Sequence, residues 1–299
     1  MQVTPWQQTN WDARAAGNFI GGGSGAGLLL CAGLAGPAAS YRASAILALI
    51  LTALGLLCVL AEIGRPWRSI NVLRHPQTSW MTREAIIAPF LFITGIAAAL
   101  TGGGLCAAVA ALFAAAYLYS QARMLQASKG IPAWRHKASI PLMLATGIVE
   151  GAALAAVLST MGGIRPPALT WLLLVALLAR RLFWKRYIIA LELEGAPDAA
   201  LAVLRRCGSR RRDHPKRWRG PLENFGQTLP ELLLLIAIVF ATEQRWPIAI
   251  ASLVALASGW YLKFILVTRA AYNQGFALPV LPIRGQGEVL PGVKPGWTR

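Results

Sequence analysis

The chain has 299 residues, of which 56% are hydrophobic and 14% charged, and its formal net charge is +17. Soluble domains carry roughly 25% charged residues, and here the charges are segregated so that long runs hold almost none. That pattern excludes a disordered chain, leaves no length for a large soluble domain and points to bilayer spans. Nucleic acid is excluded as a partner too, because the basic residues flank apolar segments and do not form a groove interleaved with aromatics.

In chain order, the flank Met1 to Asn18 holds Asp12 and Arg14 and lacks the basic start of a secretory signal, so the first apolar segment is expected to be retained. A span needs about 20 mostly apolar residues. Such segments fall near 17–36, 43–62, 84–103, 104–122, 139–161, 167–184, 227–243 and 246–267. The third and fourth are parted only by Gly102-Gly103-Gly104, which reads as a tight turn, since one merged run would be too long for a single span. The fold class is therefore all-α, a polytopic membrane protein of about eight transmembrane helices forming two four-helix bundles, with residues 1–299 as a single membrane domain.

Within the first span, Gly21-Gly22-Gly23-Ser24-Gly25-Ala26-Gly27 approximates both a nucleophile elbow and a dinucleotide loop. No strand precedes it, so neither context fits. The spacings Gly21/Gly25 and Gly23/Gly27 instead predict close helix packing through small residues.

The connections are unequal. Three long ones (63–83, 123–138 and 185–226) and both termini share one face; the short turns on the other face hold only Arg42, Arg165 and Arg245 of the 29 lysines and arginines. By the positive-inside rule the basic face, with both termini and the 185–226 loop, should be cytoplasmic, and the membrane the inner, cytoplasmic one. The 185–226 loop carries Arg205-Arg206, Arg210-Arg211-Arg212, Lys216-Arg217 and Arg219. It reads equally as a contact for anionic membrane lipid and as a docking surface for a soluble partner. Residues 197–206 within it predict a short helix, opened by proline and acid and closed by arginines.

The densest polar cluster surrounds the second loop: Glu62-Ile-Gly-Arg-Pro-Trp-Arg68, then His75-Pro-Gln-Thr-Ser-Trp-Met-Thr-Arg-Glu84. Thr82 is a candidate cap for the helix that follows. Tyr117, Tyr119, Gln121 and Arg123 end the fourth span on the same face, and Asn18 begins the first span there. Four helices thus bring polar groups to one depth, as a site for a polar headgroup on a lipid tail requires. Glu150 is different. It lies about 16 Å into its span at 1.5 Å per residue, where a charge is expensive. It reads either as a neutral carboxyl bonded to a neighbouring helix or as a proton-relay or substrate group.

Cys31, Cys58 and Cys106 lie in apolar segments and Cys207 in the basic loop, with no C-x-x-C pair, so no iron–sulfur cluster is expected in this chain. His75, His136 and His214 sit on loops, so no haem is expected either.

The second-loop string, with the opening Asn18-Phe-Ile-Gly-Gly and the ending Tyr272-Asn-Gln-Gly-Phe-Ala-Leu-Pro279, resembles the membrane-anchor subunits of polysulfide and dimethyl sulfoxide reductases. Within that family the likeness is greatest to the anchor of phenylacetyl-CoA:acceptor oxidoreductase. The resemblance covers nearly all the spans; the 185–226 loop has no counterpart in it. It implies an eight-helix anchor that binds a quinone (menaquinone or ubiquinone) and exchanges electrons with a partner iron–sulfur subunit, itself joined to a molybdenum or tungsten catalytic subunit. The dimethyl sulfoxide reductase anchor opens its His-x-Gly-x-Pro string with histidine, where this chain has Glu62. On this reading Glu62, Glu84 and Glu150 are the proton-relay candidates, Asn18, Arg68 and Tyr117 or Tyr119 surround the quinone, and no metal is bound. A secondary transporter with Glu150 as its coupling site is the alternative, and a purely structural anchor the third.

Overall fold

The computed structural model describes residues 4–33, 38–63, 66–164, 167–208, 220–240 and 245–275. Among these residues, eight helices are long and apolar enough to cross a membrane. The chain is an all-α, multi-pass membrane protein.

The first four spans are α1 (Ala13–Ala32), α2 (Ala38–Glu62), α3 (Trp80–Thr101) and α4 (Gly104–Ala127). A 3-10 segment, Pro66–Arg74, lies between α2 and α3. Gly102, Gly103 and Gly104 all have positive φ, so the α3–α4 turn is a glycine turn that L side chains would strain. After the short α5 (Pro132–Arg135) come α6 (Ser139–Met161) and α7 (Pro167–Leu193). The helix α8 (Asp198–Gly208) follows. The seventh span begins with α9 (Pro221–Glu223), passes through a π-helical turn, Asn224–Thr228, and continues as α10 (Leu229–Val239). The eighth is α11 (Trp246–Phe264), which ends in a second π-helical turn, Ile265–Arg269.

The expected 185–226 loop is thus shorter than its sequence suggests. Helix α7 runs on to Leu193, because Trp184, Tyr187, Ile188 and Leu191 keep an apolar stripe facing the core. The predicted 197–206 helix is α8, whereas 209–219, with most of the arginine cluster, lies outside the described residues. Thr82 does not cap α3. Ser79 does, accepting from the Thr82 N–H at 3.3 Å, while the Thr82 hydroxyl donates to the Val72 carbonyl and ties the 3-10 segment to α3.

The spans form two four-helix rings. In one, α1 packs on α2, α2 on α3, α3 on α4 and α4 on α1; in the other, α6, α7, α10 and α11 close likewise. The rings meet chiefly where α1 lies against α6. A Cβ on Gly151 would fall 2.5 Å from the backbone nitrogen of Leu28, and one on Gly27 would strike the Gly147 backbone, so this crossing demands glycine on both helices. On another face of α1, a Cβ on Gly21 would lie 2.7 Å from the Leu51 carbonyl of α2. The glycine run is packing surface, as its spacing predicts.

The outer faces are apolar: Ile46, Ile50, Leu54 and Leu57 form one exposed stripe on α2. In water such a stripe would be anomalous, whereas against lipid tails it is expected. The segments before α1 and after α11 lie side by side, with the Gln8 N–H donating to the Ala271 carbonyl at 2.9 Å and the Asn273 N–H to the Trp6 carbonyl at 3.1 Å. They share one face, as an even number of spans requires.

Candidate functional site

Four helices of the first ring converge near that shared face. Asp12 caps α1, accepting from the Arg14 N–H at 2.7 Å, and pairs with the Arg14 guanidinium at 2.8 Å. The hydrogen bond to Arg14 holds the Asp12 carboxyl below its ordinary range. Asn18 does not begin the helix as its place in the sequence suggests; it lies one turn further in, buried against α4. Ser79 starts α3 so that Glu84 falls in its second turn, facing inward and 4% exposed. From α4, Tyr117 and Gln121 stand one turn apart on the inward face. The Gln121 amide nitrogen donates to Glu84 Oε1 and to the Asn18 carbonyl, both at 3.1 Å. The Tyr117 hydroxyl and the Asn18 side-chain amide adjoin this carboxylate, and Asn18 Oδ1 is buried without a hydrogen-bond partner among the described residues.

Two cavities open on Glu84. A cleft of about 240 Å³ is lined by Trp11, Asn18, Phe19, Glu62, Glu84 and Met124, among others. A groove of about 500 Å³ lies between α2, α3 and the 3-10 segment, with Leu56, Leu60, Ile70, Leu73 and Phe92 in its walls. The two share Val59, Ile63, Met81 and Glu84. One is small and carries three polar side chains; the other is larger and almost wholly apolar.

Of the residues singled out from sequence, Asn18, Glu62 and Glu84 therefore meet at one cleft. Tyr117 stands behind Glu84, away from the cleft wall. Tyr119 points the opposite way, because residues two apart on a helix lie on nearly opposite sides; its ring meets Trp80 edge-on and its hydroxyl accepts from Arg123 at 2.8 Å. The Arg68 side chain, Gly64, Arg65 and residues 276–279 of the terminal motif lie outside the described residues.

Glu150 is elsewhere, at the meeting of the two rings and fully buried. It is not alone as a charge. Lys263 of α11 approaches Glu150 Oε2 at 2.6 Å, and the Ser24 hydroxyl donates to the same oxygen at 2.9 Å. Trp260 Nε1 donates to Ser24 at 2.8 Å. Of two neighbouring arginines counted from sequence with the basic face, one is interior and the other half-buried. Arg180 is fully buried and donates to the Gly226 carbonyl at 2.6 Å and to Ser258 at 2.9 Å, and Arg181 pairs with Glu231. Arg180 closes on the π-helical turn, whose widened backbone frees a carbonyl for it.

Sequence reasoning missed Lys263, although a lysine inside an apolar run is itself a signal. It also passed over Trp11, Phe19, Met81 and Met124, which look like ordinary span residues. Among the described residues, no group of three or more histidine, cysteine, aspartate or glutamate side chains is placed to hold a metal ion. No protein-family model matches the chain, and no curated protein matches it.

Proposed function

We propose that the chain is the quinone-binding membrane subunit of an oxidoreductase complex. One observation carries this reading: a small cleft bearing Asn18, Glu62 and Glu84 runs into an apolar groove about twice its volume. That shape fits a flat polar head on an isoprenoid tail, and the groove lies where the tail would enter from lipid. A quinone ring offers two carbonyl acceptors, and its reduction to quinol takes up two electrons and two protons. Asn18 is the amide that would bond a carbonyl, and Glu62 and Glu84 are the carboxyls that would exchange the protons. Trp11, Phe19 and Met81 would hold the ring by apolar contact.

The electrons require a partner, since the chain's own side chains carry no redox centre in this reading. We assign that role to an iron–sulfur subunit docked on the face shared by the termini, leading to a molybdenum or tungsten catalytic subunit whose substrate is an acyl-CoA such as phenylacetyl-CoA. The chain then takes part in catalysis as the quinone-reactive subunit. The test is binding of a short-chain quinone analogue to the purified chain in lipid nanodiscs. The parent should bind, and Glu84→Gln and Asn18→Leu should each weaken binding about tenfold or more, the size of a lost hydrogen bond to a charged or buried group. Equal affinity in all three proteins would exclude this cleft.

The buried Glu150–Lys263 pair favours a second reading, secondary transport with Glu150 as the coupling group. It predicts solute uptake by proteoliposomes driven by a proton gradient and abolished in Glu150→Gln, with no dependence on quinone.

A further inference from the structure

Glu84 and the Glu150–Lys263 pair stand on different sides of α1, and the residues between them are glycines. A Cβ on Gly22 would collide with the Gln121 amide nitrogen and lie 3.1 Å from the Tyr117 hydroxyl. A Cβ on Gly23 would collide with the Lys263 ammonium and lie 3.5 Å from the Gln121 amide oxygen. Helix α1 is therefore notched, and side chains from α4 and α11 meet over the notch.

In that notch the two ends of the Gln121 amide keep different company. Its nitrogen donates to Glu84 Oε1 and the Asn18 carbonyl, each at 3.1 Å, while its oxygen and the Lys263 ammonium both border the point where a Gly23 Cβ would lie, without a direct hydrogen bond between them. An amide nitrogen only donates and an amide oxygen only accepts. A carboxylate at one end and an ammonium at the other thus select the same orientation, and both charges act through a low-dielectric interior. Lys263 is itself held by Glu150 at 2.6 Å, and Glu150 is tied to α1 through Ser24. Arg180, the other fully buried cation among the described residues, is taken up by Gly226 and Ser258.

We propose that Lys263 is a positioning residue for the Glu84 end of the cleft: anchored by Glu150 and seated over Gly23, it orients the Gln121 amide so that the nitrogen serves Glu84. The second ring thereby acts on a site built in the first without touching its ligand. The effect on quinone binding rests on the function proposed above; the orientation of Gln121 does not.

The experiment is infrared spectroscopy of the full chain in nanodiscs at one pH, with the Glu84 band identified as the one lost in Glu84→Gln. The informative protein is the double variant Glu150→Leu/Lys263→Met, which removes both charges and leaves neither buried alone. Its Glu84 band should shift as it does in Gln121→Leu. Gly23→Ala, whose methyl displaces the ammonium, should give a shift in the same sense and covers the case in which the double variant fails to fold. Quinone-analogue affinity should fall about tenfold in the double variant and no further when Glu84→Gln is added, the non-additivity expected of residues in one network. An unshifted Glu84 band in folded double variant and Gly23→Ala alike, or additive losses of affinity, overturns the proposal. A shifted band in a protein whose parent binds no analogue supports the positioning role and removes the quinone reading instead.

Discussion

Glu150 and Lys263 pose the sharpest energetic question in the molecule, since both are essentially without solvent contact. A buried ion pair gains attraction but loses hydration, and the two nearly balance; a single buried charge keeps only the loss. Glu150→Leu should therefore destabilise the protein by about 3–5 kcal/mol, and adding Lys263→Met should recover most of that loss. Thermal unfolding in detergent measures both. A double variant no more stable than Glu150→Leu would mean that the pair, and not the avoidance of a lone charge, holds α6 to α11. The candidate site was legible in part, for a related reason. Asn18, Glu62 and Glu84 stand out because a polar side chain at a membrane boundary has few uses, and all three line one cleft. Glu150 stood out equally, but a carboxylate's partner from another span cannot be read along one helix, so its pairing with Lys263 appears only in three dimensions. Tyr117 and Tyr119 were indistinguishable in sequence, and only the rotation of α4 separates the one behind Glu84 from the one beside Trp80. Tyr117→Phe should accordingly leave quinone-analogue affinity within about fivefold of the parent, less than the loss in Asn18→Leu, since Tyr117 does not line the cleft and a net hydrogen-bond contribution is about 1 kcal/mol.

The helices were the most legible elements, because a run of about 20 apolar residues has few other fates. All eight expected spans coincide with observed ones, and the departures are at ends, where caps and tertiary contacts decide. The start of α3 illustrates this. Ser79 and Thr82 are both reasonable caps, and the choice is made by Val72, which engages the Thr82 hydroxyl and leaves Ser79 to the helix. Ser79→Ala should cost about 1 kcal/mol, read as a lower midpoint in detergent unfolding, and should loosen the 3-10 segment that walls the groove. The crossing of α1 and α6 is more demanding. Gly151→Leu would place a side chain where the Gly27–Leu28 backbone already lies, so the rings must separate or the helices shift. Overpacking of that kind costs at least 1–3 kcal/mol, and the variant should show it as lost monodispersity and a lower unfolding midpoint. Gly33→Ala is the contrast: nothing stands within 4 Å of its Cβ, the backbone is right-handed helical, and stability should be unchanged or slightly raised.

At the scale of the molecule, the arrangement of charge and site leads to a prediction about sidedness. The segments flanking α1 and α11 pair on one face, and the cleft lies at that same end, among the start of α1, the end of α2 and the start of α3. The segments flanking α1 and α11 and the cleft must therefore face the same compartment. Burial removes Arg180 and Lys263 from the charge count, since neither reaches a surface. The asymmetry survives this correction: by sequence the short connections hold only Arg42, Arg165 and Arg245, whereas the 185–226 stretch includes Arg205, Arg206 and the arginines and lysine of 210–219. The positive-inside rule applied to these counts predicts that the segments flanking α1 and α11, and the cleft with them, face the cytoplasm. Electron transfer weakens steeply with distance, so a partner cluster serving the cleft would dock there too. Its catalytic subunit would then act on a cytoplasmic substrate, and a CoA thioester, charged and unable to cross the bilayer, is such a substrate. The expected outcome is that a protease added to inside-out vesicles digests the partner subunits and a tag placed after Arg219, while right-side-out vesicles protect both. Digestion in right-side-out vesicles would reverse the orientation and remove the acyl-CoA assignment, because the arginines would then be serving a docked partner on the outer face.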